Sequence, residues 1–213
     1  AGTVTFSYDE RRRLADLLIK QGPNAPTLCE GWTTRDLAAH LWVRENRPDA
    51  AAGMFVSAAQ GHLDAVTAQV LARPYEELVE AWAESPGRFS PVRIVDRWMN
   101  LAEHFVHHED VRRGQWMVDG TLVPARKMSE HEQATLTKAA MIAGRMMLRG
   151  ASRPVQLRIP GRLTLDVHPR SASGGVVTVT GEPGEVLLWV YGRDAAHVTL
   201  SPEGVEPRAA CLL

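Results

Sequence analysis

The segment Asn100-Leu-Ala-Glu-His-Phe-Val-His-His-Glu-Asp-Val-Arg-Arg113 holds three of the chain's eight histidines, two glutamates and an aspartate. No Gly or Pro interrupts it before Gly114. Uninterrupted, it reads as a helix of roughly three turns. Residues four apart on a helix share a face, one above the other. Glu103 and His107 form such a pair, and so do His104 and His108. An imidazole one turn from a carboxylate is half of a metal site or half of an acid–base pair. A third ligand from another helix completes a set of three protein ligands with open positions, the catalytic rather than the structural pattern.

Spacing alone leaves a plainer alternative open. Glu103 and His107 also suit a helix-surface pair, worth about 0.2–0.5 kcal/mol. Ile94, Val95, Trp98, Leu101, Ala102, Phe105 and Val106 mark the apolar arc of this helix. At about 100° per residue, Glu103–His107 flanks one edge of that arc and His104–His108 the other. Either pair is able to turn inward. The pattern is not the His-Glu-x-x-His of zinc proteases, because spacing and order differ. His40, in Arg35-Asp-Leu-Ala-Ala-His-Leu-Trp, lies beside Leu37 and Leu41, where a hydrogen-bonded boundary histidine is the plain alternative to a ligand. Cys29 is either a thiol near the site or a small buried hydrophobe. His62, His131, His168 and His197 are isolated and carry no assigned chemistry.

The elements that must position these residues are helical in the first half. Ser7-Tyr-Asp-Glu10 reads as a capping box opening a helix that stops at Gly22-Pro23. Thr33 and Asp36 cap a second helix, which carries His40 and ends near Pro48. A third helical region runs from about Gly61 to Glu84, broken at Pro74. Ser90-Pro91 opens the fourth, which ends near Gly114. Four helices with short connections predict a bundle, whose sites are built from facing helices. After an irregular stretch from Trp116 to Lys127, Ser129-Glu-His-Glu132 caps another helix, running to about Leu148. Then come Val155–Ile159, Leu163–Val167 and Val176–Thr180, separated by Gly and Pro as in an antiparallel meander. A helix over 182–191 with Gly192 as its C-cap and a last strand over 196–200 complete the chain. The fold class expected is α plus α/β: a helical bundle, then a small mixed α/β domain. The break falls within 115–127, dividing the chain into 1–116 and 117–213.

At 213 residues, 45% apolar and 23% charged, the chain is an ordinary globular protein. A formal net charge of -1 argues for neither nucleic acid nor an anionic membrane as partner. There is no 18-residue apolar run for a membrane span, and Ala1-Gly-Thr-Val-Thr-Phe does not read as a signal peptide. Cys29 and Cys211 are too few for a disulfide framework and not spaced for zinc. Cytoplasmic residence is the default expectation. Oligomeric state is not legible.

Two motifs carry a family resemblance. Leu28-Cys-Glu-Gly-Trp-Thr-Thr-Arg-Asp-Leu-Ala-Ala-His40, followed by Glu103-His-Phe-Val-His107, resembles the DinB-like superfamily. The branch it is most similar to is typified by the actinobacterial mycothiol-dependent maleylpyruvate isomerase, with its C-x-G-W-x-x-x-D-L-x-x-H and E-x-x-x-H signatures. Gly181-Glu-Pro-Gly-Glu-Val-Leu-Leu-Trp-Val-Tyr-Gly-Arg193 resembles the sterol-carrier-like domain appended to those bundles. The resemblance covers almost the whole chain. It implies a DinB-like four-helix bundle with a divalent metal on His40, Glu103 and His107. Zinc is the usual ion, and nickel, manganese or iron suit the same donors. It also implies Arg193 as a carboxylate anchor, the alternative being a solvated residue beyond a helix C-cap. Mycothiol is then the cosubstrate, a small electrophile the substrate, and thiol transfer or cis–trans isomerisation the reaction. Asp110 or Glu109 would orient a ligand, or else serve as interdomain or surface charge with Arg112 and Arg113 at a helix C-terminus. Two other readings stay open. One is a metal-dependent hydrolase using His108 or Glu109 as general base. The other is a non-catalytic protein that binds metal or a small ligand.

Overall fold

The computed structural model describes residues 2–84 and 97–209, with side chains from residue 5 onward. The chain forms two compact units, one spanning Ser7–Leu122 and the other running from Val123 onward together with the chain up to Phe6.

The first unit is helical. Its elements are α1 (Gly2–Gln21), α2 (Thr34–Asn46), α3 (Pro48–Ala51), α4 (Gln60–Leu71), α5 (Tyr75–Glu84), α6 (Arg97–Arg112) and α7 (Trp116–Asp119), with 3-10 turns at Ala52–Met54 and Ser57–Ala59. Leu14 and Leu18 of α1, Leu37 and Leu41 of α2, Val70 of α4 and Leu78 and Trp82 of α5 form its core. Local chemistry sets the boundaries. Thr33 precedes α2 and its amide donates to the Asp36 carboxylate at 2.8 Å, which satisfies one of the helix's unpaired N-terminal groups. Pro48 opens α3, where its missing N–H costs nothing. Pro74 separates α4 from α5, as its spacing predicts.

Two expectations are corrected here. α1 begins at Gly2, so Ser7 and Glu10 lie inside the helix and do not cap it. Ser-x-x-Glu is compatible with a helix interior when both side chains find partners on a neighbouring helix, as these do. Trp116–Asp119, read as irregular, is a single helical turn too short to show a period. The expected start of the fourth helix at Ser90-Pro91 lies outside the described residues.

The second unit packs α8 (Glu130–Met147) and α9 (Pro183–Val190) with a four-stranded sheet. Its strands are β1 (Val155–Ile159), β2 (Leu163–Val167), β3 (Val177–Thr180) and β4 (Thr199–Ser201), in the order β2-β1-β3-β4. Ser129 caps α8 by accepting from the Glu132 amide, with Glu132 reaching back to the Ser129 amide. β1–β2 and β3–β4 are antiparallel, but β1–β3 is parallel, so the sheet is not the expected meander. The reason is the link 168–176. β2 ends opposite Val155, and β3 starts opposite that same residue on the other side of β1. The chain therefore steps past β1 at one end of the sheet instead of folding back on β2. α9 is buried along its whole length, as expected of a helix apolar all round. Gly192 follows it at φ 83°, a left-handed conformation that glycine adopts without a Cβ penalty.

Candidate metal centre

His40 comes from α2, and Glu103 and His107 come from α6. One ligand atom from each lies within 4.8 Å of the other two. His107 Nε2 is 3.1 Å from Glu103 Oε2. The His40 and His107 rings meet edge to face, with centroids 5.4 Å apart. Trp32 stands over the other side of His40 at 5.0 Å. Arg44, one turn beyond His40 on α2, approaches Glu103 at 3.9 Å. The side chain of Glu103 is 16% exposed, which leaves the cluster open on that side.

Electrostatics suit a cation. Burial, reinforced by the charge on His107, lowers the His40 pKa to about 3, so His40 is a neutral imidazole with a free lone pair at physiological pH. Burial works to raise Glu103. The hydrogen bond from His107 and the charge of Arg44 outweigh it and hold the carboxyl well below the ordinary range, hence ionised. Burial also opposes charge on His107, but hydrogen bonds with Asp110, Cys29 and Glu103 raise it well above the usual imidazole value. The proton shared between Nε2 and Glu103 marks a position where positive charge is favoured. Two imidazole nitrogens and one carboxylate oxygen are a donor set that fits zinc and related divalent ions with coordination positions to spare.

The other side of His107 is equally organised. Nδ1 is 2.9 Å from Asp110 Oδ2, and Cys29 Sγ is 3.3 Å from the same oxygen. Asp110 is fully buried. Its backbone carbonyl accepts from the Leu28 amide at 3.0 Å. The loop bearing Cys29 thereby lies against the end of α6. Gly114 permits that approach, since a Cβ there would collide with the Pro26 carbonyl oxygen.

The opposite edge of α6 is also buried, for a different purpose. His104 Nδ1 donates to the Ser7 carbonyl at 3.0 Å and lies 2.9 Å from the Ser7 hydroxyl. His108 Nδ1 pairs with Glu10 at 2.9 Å. Nearby, Arg11 grips Glu45 through two hydrogen bonds of 2.7 and 2.8 Å, donates to the Trp82 carbonyl and stacks over the Trp82 ring. These contacts tie α1 to α2, α5 and α6.

The structure therefore brings His40, Glu103 and His107 together and leaves two other candidates elsewhere. His108, expected as an acid–base residue, is bound to Glu10. Glu109, the other base considered for a hydrolase, accepts from Arg112 at 2.6 Å and Arg113 at 2.8 Å. Glu109 and Asp110 are buried, so they are not the surface charges of the plain alternative. Arg193 belongs to the second unit, where it is buried and donates to the Tyr191 carbonyl at 2.7 Å; it is not the solvated residue of the plain alternative. Sequence reasoning missed Arg44. Its one available signal was its place four residues after His40, on the same helical face.

A helical bundle with a two-histidine, one-glutamate cluster, followed by a small mixed-sheet unit, is the architecture these observations define. No family model matches the chain, and no curated protein matches it in sequence. Two solved structures share the fold. One is a histidine-to-alanine mutant of the mycothiol-dependent maleylpyruvate isomerase, at TM-score 0.61 and 17% identity. The other is the mycothiol-dependent maleylpyruvate isomerase itself, at TM-score 0.58 and 20% identity. Each match covers 97% of this chain and 95% of the other. At these identities the likeness is one of fold, and it spans both units. Among the described residues no helix is long and apolar enough to cross a membrane.

Proposed function

We propose that this protein is a divalent-metal-dependent enzyme that uses a low-molecular-weight thiol such as mycothiol to transfer to, or isomerise, a small electrophile. The observation that carries the reading is the convergence of His40, Glu103 and His107, with ligand atoms within 4.8 Å of one another, in a fold shared with a mycothiol-dependent isomerase. These three residues would hold the ion, zinc by the chemistry of the donors. A bound divalent ion supplies Lewis acidity, which lowers the pKa of a thiol or water in an open position. His40 offers a neutral nitrogen, and Glu103 offsets positive charge. Trp32 shields one face of His40 and Arg44 fixes Glu103. In the isomerisation, the sulfur of the deprotonated thiol would add to one alkene carbon of a carbonyl-conjugated substrate, and the π pair would move onto the carbonyl oxygen as an enolate. After rotation about the new single bond, collapse of the enolate would re-form the double bond in trans form and expel the same thiolate.

The test is metal content by mass spectrometry of protein purified without a histidine tag, wild type beside His107→Ala. It is followed by turnover of maleylpyruvate-like and epoxide substrates with and without mycothiol. Close to one equivalent of zinc in the wild type, lost in the variant, together with thiol-dependent turnover, supports the reading. Turnover that ignores the thiol points to hydrolysis instead. Bound metal with no turnover on either substrate class leaves a binding protein. A wild type that takes up no metal after reconstitution sinks the proposal.

A further inference from the structure

Asp110 is a fully buried carboxylate that touches a candidate ligand on the side away from the ligand cluster. Its Oδ2 receives two hydrogen-bonding groups, His107 Nδ1 at 2.9 Å and Cys29 Sγ at 3.3 Å, and its backbone carbonyl receives a third, the Leu28 amide. The His107 ring is thus held at both nitrogens, with Nδ1 toward Asp110 and Nε2 toward Glu103. An imidazole that donates from one nitrogen to a buried carboxylate presents the other nitrogen's lone pair in a fixed direction and with raised basicity.

We infer that Asp110 is the positioning residue of the centre: it selects Nε2 of His107 as the ligating nitrogen and, through Cys29 and Leu28, anchors the loop that leads into the His40 helix. The inference rests on the metal reading above. Cys29, His107 and Asp110 themselves lie within 4.8 Å of one another and have the donor types of a metal site. Ligation there would use Nδ1 and remove the proton that now bridges to Asp110. It would also leave the open cluster around Nε2 with only His40 and Glu103. The hydrogen-bonded arrangement uses every group on both sides of the ring, so the cation belongs at Nε2. Cys29 then acts as a donor to Asp110 and keeps that carboxylate turned toward His107.

Zinc affinity, measured by competition with a chromophoric chelator on the full chain, separates this role from a merely structural one when read beside urea unfolding of the same metal-stripped proteins. Asp110→Asn keeps the shape of the side chain but weakens the acceptor. It is expected to weaken zinc binding by roughly 10–100-fold with little change in the unfolding midpoint. Cys29→Ser keeps a donor to Asp110 and is expected to bind zinc within about twofold of wild type. Zinc affinity in Asp110→Asn within twofold of wild type overturns the inference, as does an equal loss in Cys29→Ser. Should Asp110→Asn fail to fold, the nitrogen-15 spectrum of zinc-loaded wild type decides the matter. A protonated Nδ1 and a metal-bound Nε2 on His107 are expected, and the reverse assignment overturns the inference. Wild type that binds no zinc at all sinks the metal reading and this inference with it. Zinc bound equally by wild type and Asp110→Asn sinks only the inference.

Discussion

Replacing Glu45 with alanine tests how the helix carrying His40 is held in place. Glu45 is 1% exposed and Arg11 is 4% exposed, and they are joined by two hydrogen bonds of 2.7 and 2.8 Å. Removing the carboxylate strands a buried guanidinium. Losses of that kind cost about 3–5 kcal/mol, because the remaining charge keeps its desolvation penalty without its partner. The proton-binding behaviour of Glu45 gives an independent figure. Burial raises its pKa, but His104, whose Nε2 stands 3.9 Å from the carboxylate, and the hydrogen bonds from Arg11 outweigh burial and bring it from 4.5 to about 2. At 1.36 kcal/mol per pH unit that difference is worth roughly 3 kcal/mol. The two routes agree, so Glu45→Ala is expected to destabilise the bundle by about 3 kcal/mol near neutral pH. Because the folded pKa is depressed, the contribution is present above pH 4.5 and is lost as pH falls toward 2. Urea unfolding followed by helical circular dichroism at pH 7 and pH 3 reads both effects. The wild-type advantage should shrink markedly at pH 3. A Glu45→Ala loss under about 1 kcal/mol at pH 7, or one unchanged at pH 3, would refute the reasoning. The double replacement Arg11→Met with Glu45→Leu should recover most of the loss, since removing both charges leaves none stranded.

Zinc binding should release close to one proton per ion at neutral pH, seen as a dependence of calorimetric heat on buffer ionisation enthalpy. The raised pKa of His107 means that a proton must leave Nε2, whereas His40 and Glu103 arrive already deprotonated. Affinity therefore rises with pH until His107's own pKa is passed, and a pH-independent affinity would contradict the assignment. Metal-stripped protein should show the opposite trend at His107, whose raised pKa lends stability that fades as pH climbs through the folded value. Gly114→Ala places a methyl where the Pro26 carbonyl stands, and should cost about 1–3 kcal/mol in urea unfolding and weaken zinc binding as the Cys29 loop is pushed off α6; unchanged stability would show that the approach is not close.

Where the sequence is legible, it is so because one local interaction decides the outcome. The Ser129–Glu132 box marks the start of α8, Thr33 and Asp36 mark the start of α2, and Pro74 divides α4 from α5. Ser7 and Glu10 carry the same Ser-x-x-Glu signature and mislead, because their partners are His104 and His108, nearly a hundred residues away in the chain and absent from any local window. Along α6, periodicity found both polar edges of the apolar arc but had no means of choosing between them. The structure buries both, one against His40 and the other against α1. The pairing of His40 with Glu103 and His107 lies beyond spacing altogether, since the resemblance alone joined the two helices. Arg44 was missed because a charged residue on an amphipathic helix looks solvated until its neighbour is known. The parallel β1–β3 pair escaped for a similar reason: alternation marks a strand, not the partner it takes.

The clasp between the Cys29 loop and Asp110 also has a bearing on when the protein becomes itself. Cys29 and Asp110 are 81 positions apart, and the Leu28 amide has its acceptor on the same distant residue. Long separations of this kind are closed late, after the local helices that repay the entropy of bringing them together. During synthesis the loop emerges early and has nothing to grip until α6 follows it. For that interval α2 has its packing partners in α1, α4 and α5, but His40 lacks Glu103 and His107. Locking the loop is therefore a late step as well as a contact, and the three residues of the cluster come together only once α6 has docked.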